Sequence, residues 1–272
     1  MKTVVHLSDL HFGRVDRAIA AALHRAVHAL SPDLVCVSGD LTQRARRGQF
    51  REARAFLDAL PRPQLVVPGN HDVPLFNVAA RLLNPLGGYC RYITTDLEPA
   101  HADNEIVAVG INTTKSMTIK GGRVLQHELE RVCRVFDDAT DRAVRIIVAH
   151  HPFDVSDDAS PGRFGEEGPG VVEALTRCGT DVFLTGHLHV SYAGATAARY
   201  RLGGRSAIVV EAGTATSTRR RGELNSFNVI RVEPDAVTVE HLEYRSEASG
   251  FERRQSQRFD RGGDGWFSAD SR

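Results

Sequence analysis

The chain of 272 residues makes one large domain or two small ones, and its 42% apolar and 25% charged residues suit a globular protein with a sizeable core. Its 34 basic and 34 acidic residues balance to a formal net charge of zero, which gives no global electrostatic footprint for nucleic acid or an anionic membrane surface. No apolar run approaches the roughly 18 residues of a membrane-spanning helix, and a strand-like run already begins at Thr3 with no room for a leader, so a cytoplasmic protein is expected.

In chain order, TVVHLS (3–8), DLVCVS (33–38) and QLVVP (64–68) read as buried strands. Between them, residues 17–30 and 47–60 place apolar side chains at helical spacing, as in Ile19, Leu23, Val27 and Leu30. Strand, helix, strand, helix, strand is the signature of a parallel or mixed sheet with crossover helices. The pattern loosens from Asn70 to about residue 104. It resumes with a strand at 105–112, a helix at 125–139 and a strand at 142–150. A Gly- and Pro-rich loop (152–170), a short helix and a strand at 181–187 follow. From 205 to 244 three strand-like runs succeed one another without a helix, which predicts an antiparallel meander. Residues 245–272 are polar, with Phe251, Phe259, Trp266 and Phe267 as the large apolar groups. They read as a polar C-terminal tail, or as an arm that would pack on a second copy in a homodimer. Cys36, Cys90, Cys133 and Cys178 are widely spaced, which excludes a zinc ribbon and predicts reduced thiols.

Metal-capable residues gather where the strands end. Asp9 and His11 follow the first strand, Asp40 the second, and Asn70 and His71 the third. His150 and His151 follow a later strand, and His187 and His189 another. In an open α/β sheet the carboxyl ends of the strands share one crevice, so five segments deliver polar side chains to one place. Asp9 and His11, like His187 and His189, stand at i and i+2 and would point the same way if strand geometry continued. Donors of His, Asp and Asn without thiolate suit Mn, Fe, Zn, Co or Ni. Seven are too many for one ion with open positions and about right for two ions sharing a carboxylate, an arrangement that clamps both oxygens of an in-line displacement.

In this order, D-x-H, G-D, G-N-H-D, H-x-P and G-H-x-H resemble the motif set of the calcineurin-like metallophosphoesterases, over about residues 3–244. The resemblance implies an α/β fold, a four-layer α/β/β/α sandwich with two mixed sheets, with residues 1–244 as the catalytic domain. It implies that Asp9, His11 and His189 bind one ion, that Asn70, His150 and His187 bind the other, and that Asp40 bridges them. The ions would be two Mn, Fe or Zn, and a hydroxide held by them would attack phosphorus in line. His150 is the ligand of the H-H-P sequence, and His151 lies beside it or faces substrate. His71 is not a ligand; it faces the phosphate, where it stabilises charge or protonates the leaving oxygen. Asp72 ties down its loop.

Protein Ser/Thr phosphatases of this family carry GDxVDRG and GNHE. Here GDLTQRA and GNHD stand instead, and Gln43 replaces an Asp, which argues against that activity. Size and motif style are most similar to bacterial class III cyclic-nucleotide and glycerophosphodiester phosphodiesterases. A small phosphodiester is therefore the expected substrate, with a phosphomonoester or a non-catalytic binding role as alternatives. The stretch GTATSTRRRGE (213–223) offers hydroxyls and guanidinium groups. Arg220 is its candidate phosphate contact if the loop lies near the metals, and otherwise it is a solvated connection. Arg44 and Arg46, just after Asp40, are weaker candidates of the same kind. Pocket walls are expected from 73–104, 113–124 and 152–170, and no strongly apolar insertion stands out.

Overall fold

A computed structural model describes residues 1–114, 123–153, 168–196, 205–218 and 222–269. The chain runs β1 (Lys2–Leu7), α1 (Arg17–Leu30), β2 (Leu34–Ser38), α2 (Arg47–Ala59), β3 (Gln64–Val67), α3 (Val78–Leu83), α4 (Gly87–Tyr92), β4 (Ala100–Ala102) and β5 (Ile106–Ile111). It continues with α5 (Gln126–Asp137), β6 (Val144–Ala149), α6 (Gly168–Arg177), β7 (Val182–Thr185), β8 (Tyr192–Ala195), β9 (Ile208–Glu211), β10 (Ser226–Glu233), β11 (Ala236–Arg245), β12 (Gly250–Gly262) and β13 (Gly265–Ser268).

Two sheets result, one in the order β13-β12-β11-β10-β1-β2-β3 and the other in the order β4-β5-β6-β7-β9-β8. Both are mixed. Strands β1, β2 and β3 are parallel, as are β5, β6, β7 and β9, while β10 to β13, β4 and β8 pair antiparallel. Alternation within each strand divides its side chains between two apolar layers. Val4, Leu34, Ile146, Leu184 and Ile230 pack between the sheets. Val5, Val35, Leu23 and Leu57 pack the first sheet against α1 and α2, and Val109, Ile147, Val132 and Leu175 pack the second against α5 and α6. Helix, sheet, sheet and helix are the four layers expected. The α1 helix starts where the Asp16 carboxylate accepts from Ala18 N and Ile19 N, at 2.9 and 3.3 Å, and satisfies two orphan donors of the first turn.

Three expectations are corrected. The three runs after residue 205 are not one meander, because β9 joins the second sheet beside β7, and only β10 and β11 continue in the first. The residues beyond 245 are not a tail. The β12 and β13 strands extend the first sheet, with Phe259 and Trp266 fully buried. Cys133 and Cys178 are bonded to each other across α5 and the end of α6, whereas Cys36 and Cys90 are free thiols. Within the stretch expected as a pocket wall, α3 buries no side chain and carries exposed large apolar residues. No helix among the described residues is long and apolar enough to cross a membrane.

Candidate metal centre

The donor residues lie at the carboxyl ends of five parallel strands, β1, β2 and β3 in one sheet and β6 and β7 in the other. Asp9 and His11 are not a continuation of β1. Both adopt left-handed backbone (φ 53° and 51°), as do Asp40 (54°), His187 (72°) and His189 (61°). A residue with a Cβ pays roughly 1–2 kcal/mol for that conformation, so five such positions at one place mark a strained, over-determined loop cluster. Backbone bonds hold it: Asp9 N to Gly39 O (3.1 Å), His11 N to Asp40 O (2.9 Å) and Gly186 N to His150 O (3.0 Å). Two glycines admit the close approach. A Cβ on Gly69 would collide with Asp40 N and Oδ1, and one on Gly186 with Ser8 Oγ.

Around Asp9 the donors converge. Its Oδ1 lies 3.4 Å from His11 Nε2 and 3.2 Å from His189 Nε2, and those two nitrogens are 3.3 Å apart. The carboxylate is fully buried, and at Oδ1 no donor among the described residues meets strict hydrogen-bond geometry. Oδ2 accepts from Ser8 Oγ (2.7 Å) and His187 N (2.9 Å), which fixes the rotamer. Burial opposes charge on Asp9. The imidazoles of His189, His11 and His150 overcome it and hold the carboxyl well below the usual range.

A second group meets at His150. Its Nε2 is 3.0 Å from Asn70 Oδ1 and 3.2 Å from His187 Nδ1. Its Nδ1 donates to Ser38 O at 2.8 Å, a bond that sets the tautomer and turns the Nε2 lone pair toward the other donors. Asp40 stands between the groups, with Oδ2 3.7 Å from His11 Nε2 and Oδ1 3.3 Å from His150 Nε2. Two buried carboxylates and four buried or half-buried imidazoles, with an orphaned carboxylate oxygen at their centre, fit a pair of cations.

His71 donates from Nδ1 to Gln43 O at 2.8 Å, and its N–H bonds Asp40 Oδ1 at 2.8 Å. The Arg44 guanidinium is 3.4 Å from the same Nδ1. Asp72 accepts from Gly69 N, Leu41 N, Thr42 N and Thr42 Oγ1, at 2.8–3.1 Å, binding the loops after β2 and β3 together. Burial, and then the Asp40 charge, raise its pKa to about 6 against those bonds. His151 is buried, with Nδ1 2.8 Å from Thr113 Oγ1, and its ring lies 4.7 Å from that of His187. Arg220 lies outside the described residues.

Several supporting groups escaped the sequence reading. Thr214 and Thr216, expected to offer hydroxyls to phosphate or solvent, are buried. They donate to Asp9 O and Leu10 O, each at 2.7 Å. The T-A-T run gave no periodic signal of this, because Ala215 between them is buried too and the segment is not a strand. Ser38 ties the centre to the sheet: its carbonyl takes His150 Nδ1, and its Oγ is 2.9 Å from His6 Nε2, a fully buried imidazole that burial drives down to about 3.

The model of the calcineurin-like phosphoesterases matches residues 2–191. Among curated proteins, the chain is 38% identical over 80 residues to the glycerophosphodiester phosphodiesterase GpdQ of Enterobacter lignolyticus, a match of 25% of this chain and 29% of that protein. It is 23% identical over 203 residues to a probable cyclic nucleotide phosphodiesterase of Synechococcus, covering 70% of this chain and 74% of the relative. Among solved structures, a purple acid phosphatase of yellow lupin aligns with a TM-score of 0.70 at 13% identity, over 94% of this chain and 53% of that one. A dimetal phosphatase of Danio rerio aligns with a TM-score of 0.63 at 15% identity, over 94% and 98%. These likenesses show the fold, and the matched stretch with its donor clusters shows the lineage: the chain belongs to the calcineurin-like phosphoesterase family.

Proposed function

We propose that the protein is a dimetal phosphodiesterase acting on a small phosphodiester, with Asp9, His11 and His189 at one ion, Asn70, His150 and His187 at the other, and Asp40 between them. The observation that carries this reading is the placement of the two Asp40 oxygens, one toward each histidine group. When bound, two cations of the Mn, Fe or Zn kind supply Lewis-acid polarisation of phosphoryl oxygens and acidify water. The Asn70 amide contributes a neutral oxygen, so the site does not gather a third negative charge. His71 gives its Nδ1–H to a carbonyl, so Nε2 is the ring nitrogen left for substrate, and in the imidazolium form that nitrogen carries the second proton, to be given to the leaving oxygen. Arg44, against His71, adds positive charge where the phosphate would lie, and His151 supports the His187 side. The names of the two curated relatives, both phosphodiesterases, support the diester over the monoester.

The test is hydrolysis of bis-p-nitrophenyl phosphate against p-nitrophenyl phosphate with Mn²⁺, for the wild type and Asn70→Ala. Diester turnover that falls by about 10²-fold or more in the variant is the expected result. A preference for the monoester would overturn the diester assignment. No turnover of either, with metal bound, would favour the binding role.

A further inference from the structure

The residues after His71 carry something the metal chemistry does not need. Phe76, Val78, Leu82 and Leu83 are 76%, 62%, 56% and 86% exposed, and α3, on which three of them sit, buries no residue of its own. Four large apolar side chains left in water within eight residues form a patch of the kind that marks a ligand or partner site. The patch is continuous with the candidate centre. The Phe76 ring lies 5.9 Å from the Arg44 guanidinium, and that guanidinium is 3.4 Å from His71 Nδ1. A cavity of about 480 Å³ is lined by Arg14, Arg44 and Arg46 together with Gly13, Gln43 and Gln49. Phe76, the Arg44 guanidinium and His71 thus form a continuous path from the start of the ridge to the candidate centre.

We infer that the substrate is a phosphoester bearing an apolar chain, with its phosphate at the metal donors and Arg44 and its chain along Phe76 and α3. This inference rests on the phosphoesterase reading and names the substrate class for the same site. The charge order along the path fits one occupant: an anionic head needs the guanidinium and metal side, and an apolar tail needs the ridge beyond it.

The experiment measures dissociation constants of methyl, butyl and octyl phosphate by calorimetry on the Mn²⁺-loaded full chain, all below micelle-forming concentrations. Full burial of a methylene is worth about fourfold, and a chain covered on one flank about twofold per methylene. The wild type is therefore expected to bind octyl phosphate at least about tenfold more tightly than methyl phosphate. The ratio should fall toward one in the triple variant Phe76→Ser, Leu82→Ser, Leu83→Ser and persist in Leu83→Met. Equal binding of the three ligands, or a ratio unchanged by the triple variant, overturns the inference, and diester turnover measured in parallel then still stands or falls by itself. A chain-length gain seen in the absence of any phosphoester turnover sustains the ligand class and removes the catalytic reading. A gain that appears only with vesicles or micelles assigns the ridge to a membrane surface, and a dimer that the triple variant dissociates assigns it to a second copy. Either of these overturns the inference.

Discussion

His71 shows how one hydrogen bond fixes a role. Gln43 stands where protein-phosphatase relatives carry a carboxylate, and that side chain cannot charge-stabilise an imidazolium. The Gln43 backbone carbonyl instead accepts a hydrogen bond from Nδ1 at 2.8 Å, while the Gln43 amide nitrogen lies farther from it, at 3.2 Å. Orientation and tautomer are therefore set by main chain. Gln43→Ala is expected to lower kcat on bis-p-nitrophenyl phosphate by less than about threefold, and His71→Asn by about 10²–10³-fold, the scale of lost proton transfer. Steady-state kinetics of the two variants checks this, and equal losses would show that the Gln43 side chain matters as much as the ring. The donor residues themselves were legible, because Asp, His and Asn at strand ends have few structural reasons to recur in that order. Their left-handed backbone was not. The i and i+2 reasoning for Asp9 and His11 assumed strand geometry, and the chain had already left it.

Among the elements, the β12–β13 hairpin departs furthest from the sequence reading. Residues 251–258 (FERRQSQR) are largely exposed because they lie at the outer part of the sheet, so no continuous apolar face announces a strand. Charged residues there also protect an edge from pairing with another chain. The hairpin is anchored at its end. Trp266 is fully buried, and its Nε1 donates at 2.8 Å to Asp181 Oδ1, which Arg205 also reaches at 2.8 Å. The contact joins the last strand of the first sheet to the start of β7 in the second. Trp266→Ala should cost about 3–5 kcal/mol by lost packing and should leave the buried Asp181 short of a donor. Urea unfolding measures this, and a loss under about 1 kcal/mol would show that the hairpin is dispensable. The ridge at α3 was equally readable in principle, since PLFNVAARLL is apolar at more than one face of a helix. Its short length and flanking Pro and Asn disguised it as a loop.

The whole molecule is two sheets whose parallel strands end in one crevice, and that convergence makes five short motifs into a single site. The alternation of strands and helices displayed the layers, since each buried strand is an apolar run and each outer helix has one apolar stripe. Sheet membership was hidden, because β9 is buried throughout and β10 over most of its length, and nothing local says which sheet completes each. The pairing of Cys133 with Cys178 was hidden for a similar reason: it depends on α5 and α6 lying side by side across 45 residues of sequence. The central claim is that two cations share Asp40. Its most direct test is the metal content of the purified chain after reconstitution with Mn²⁺ and gel filtration, for the wild type and Asp40→Ala. About two ions per wild-type chain, with loss of at least one in the variant, is the predicted result; a single ion per chain that survives removal of the Asp40 carboxylate would contradict it.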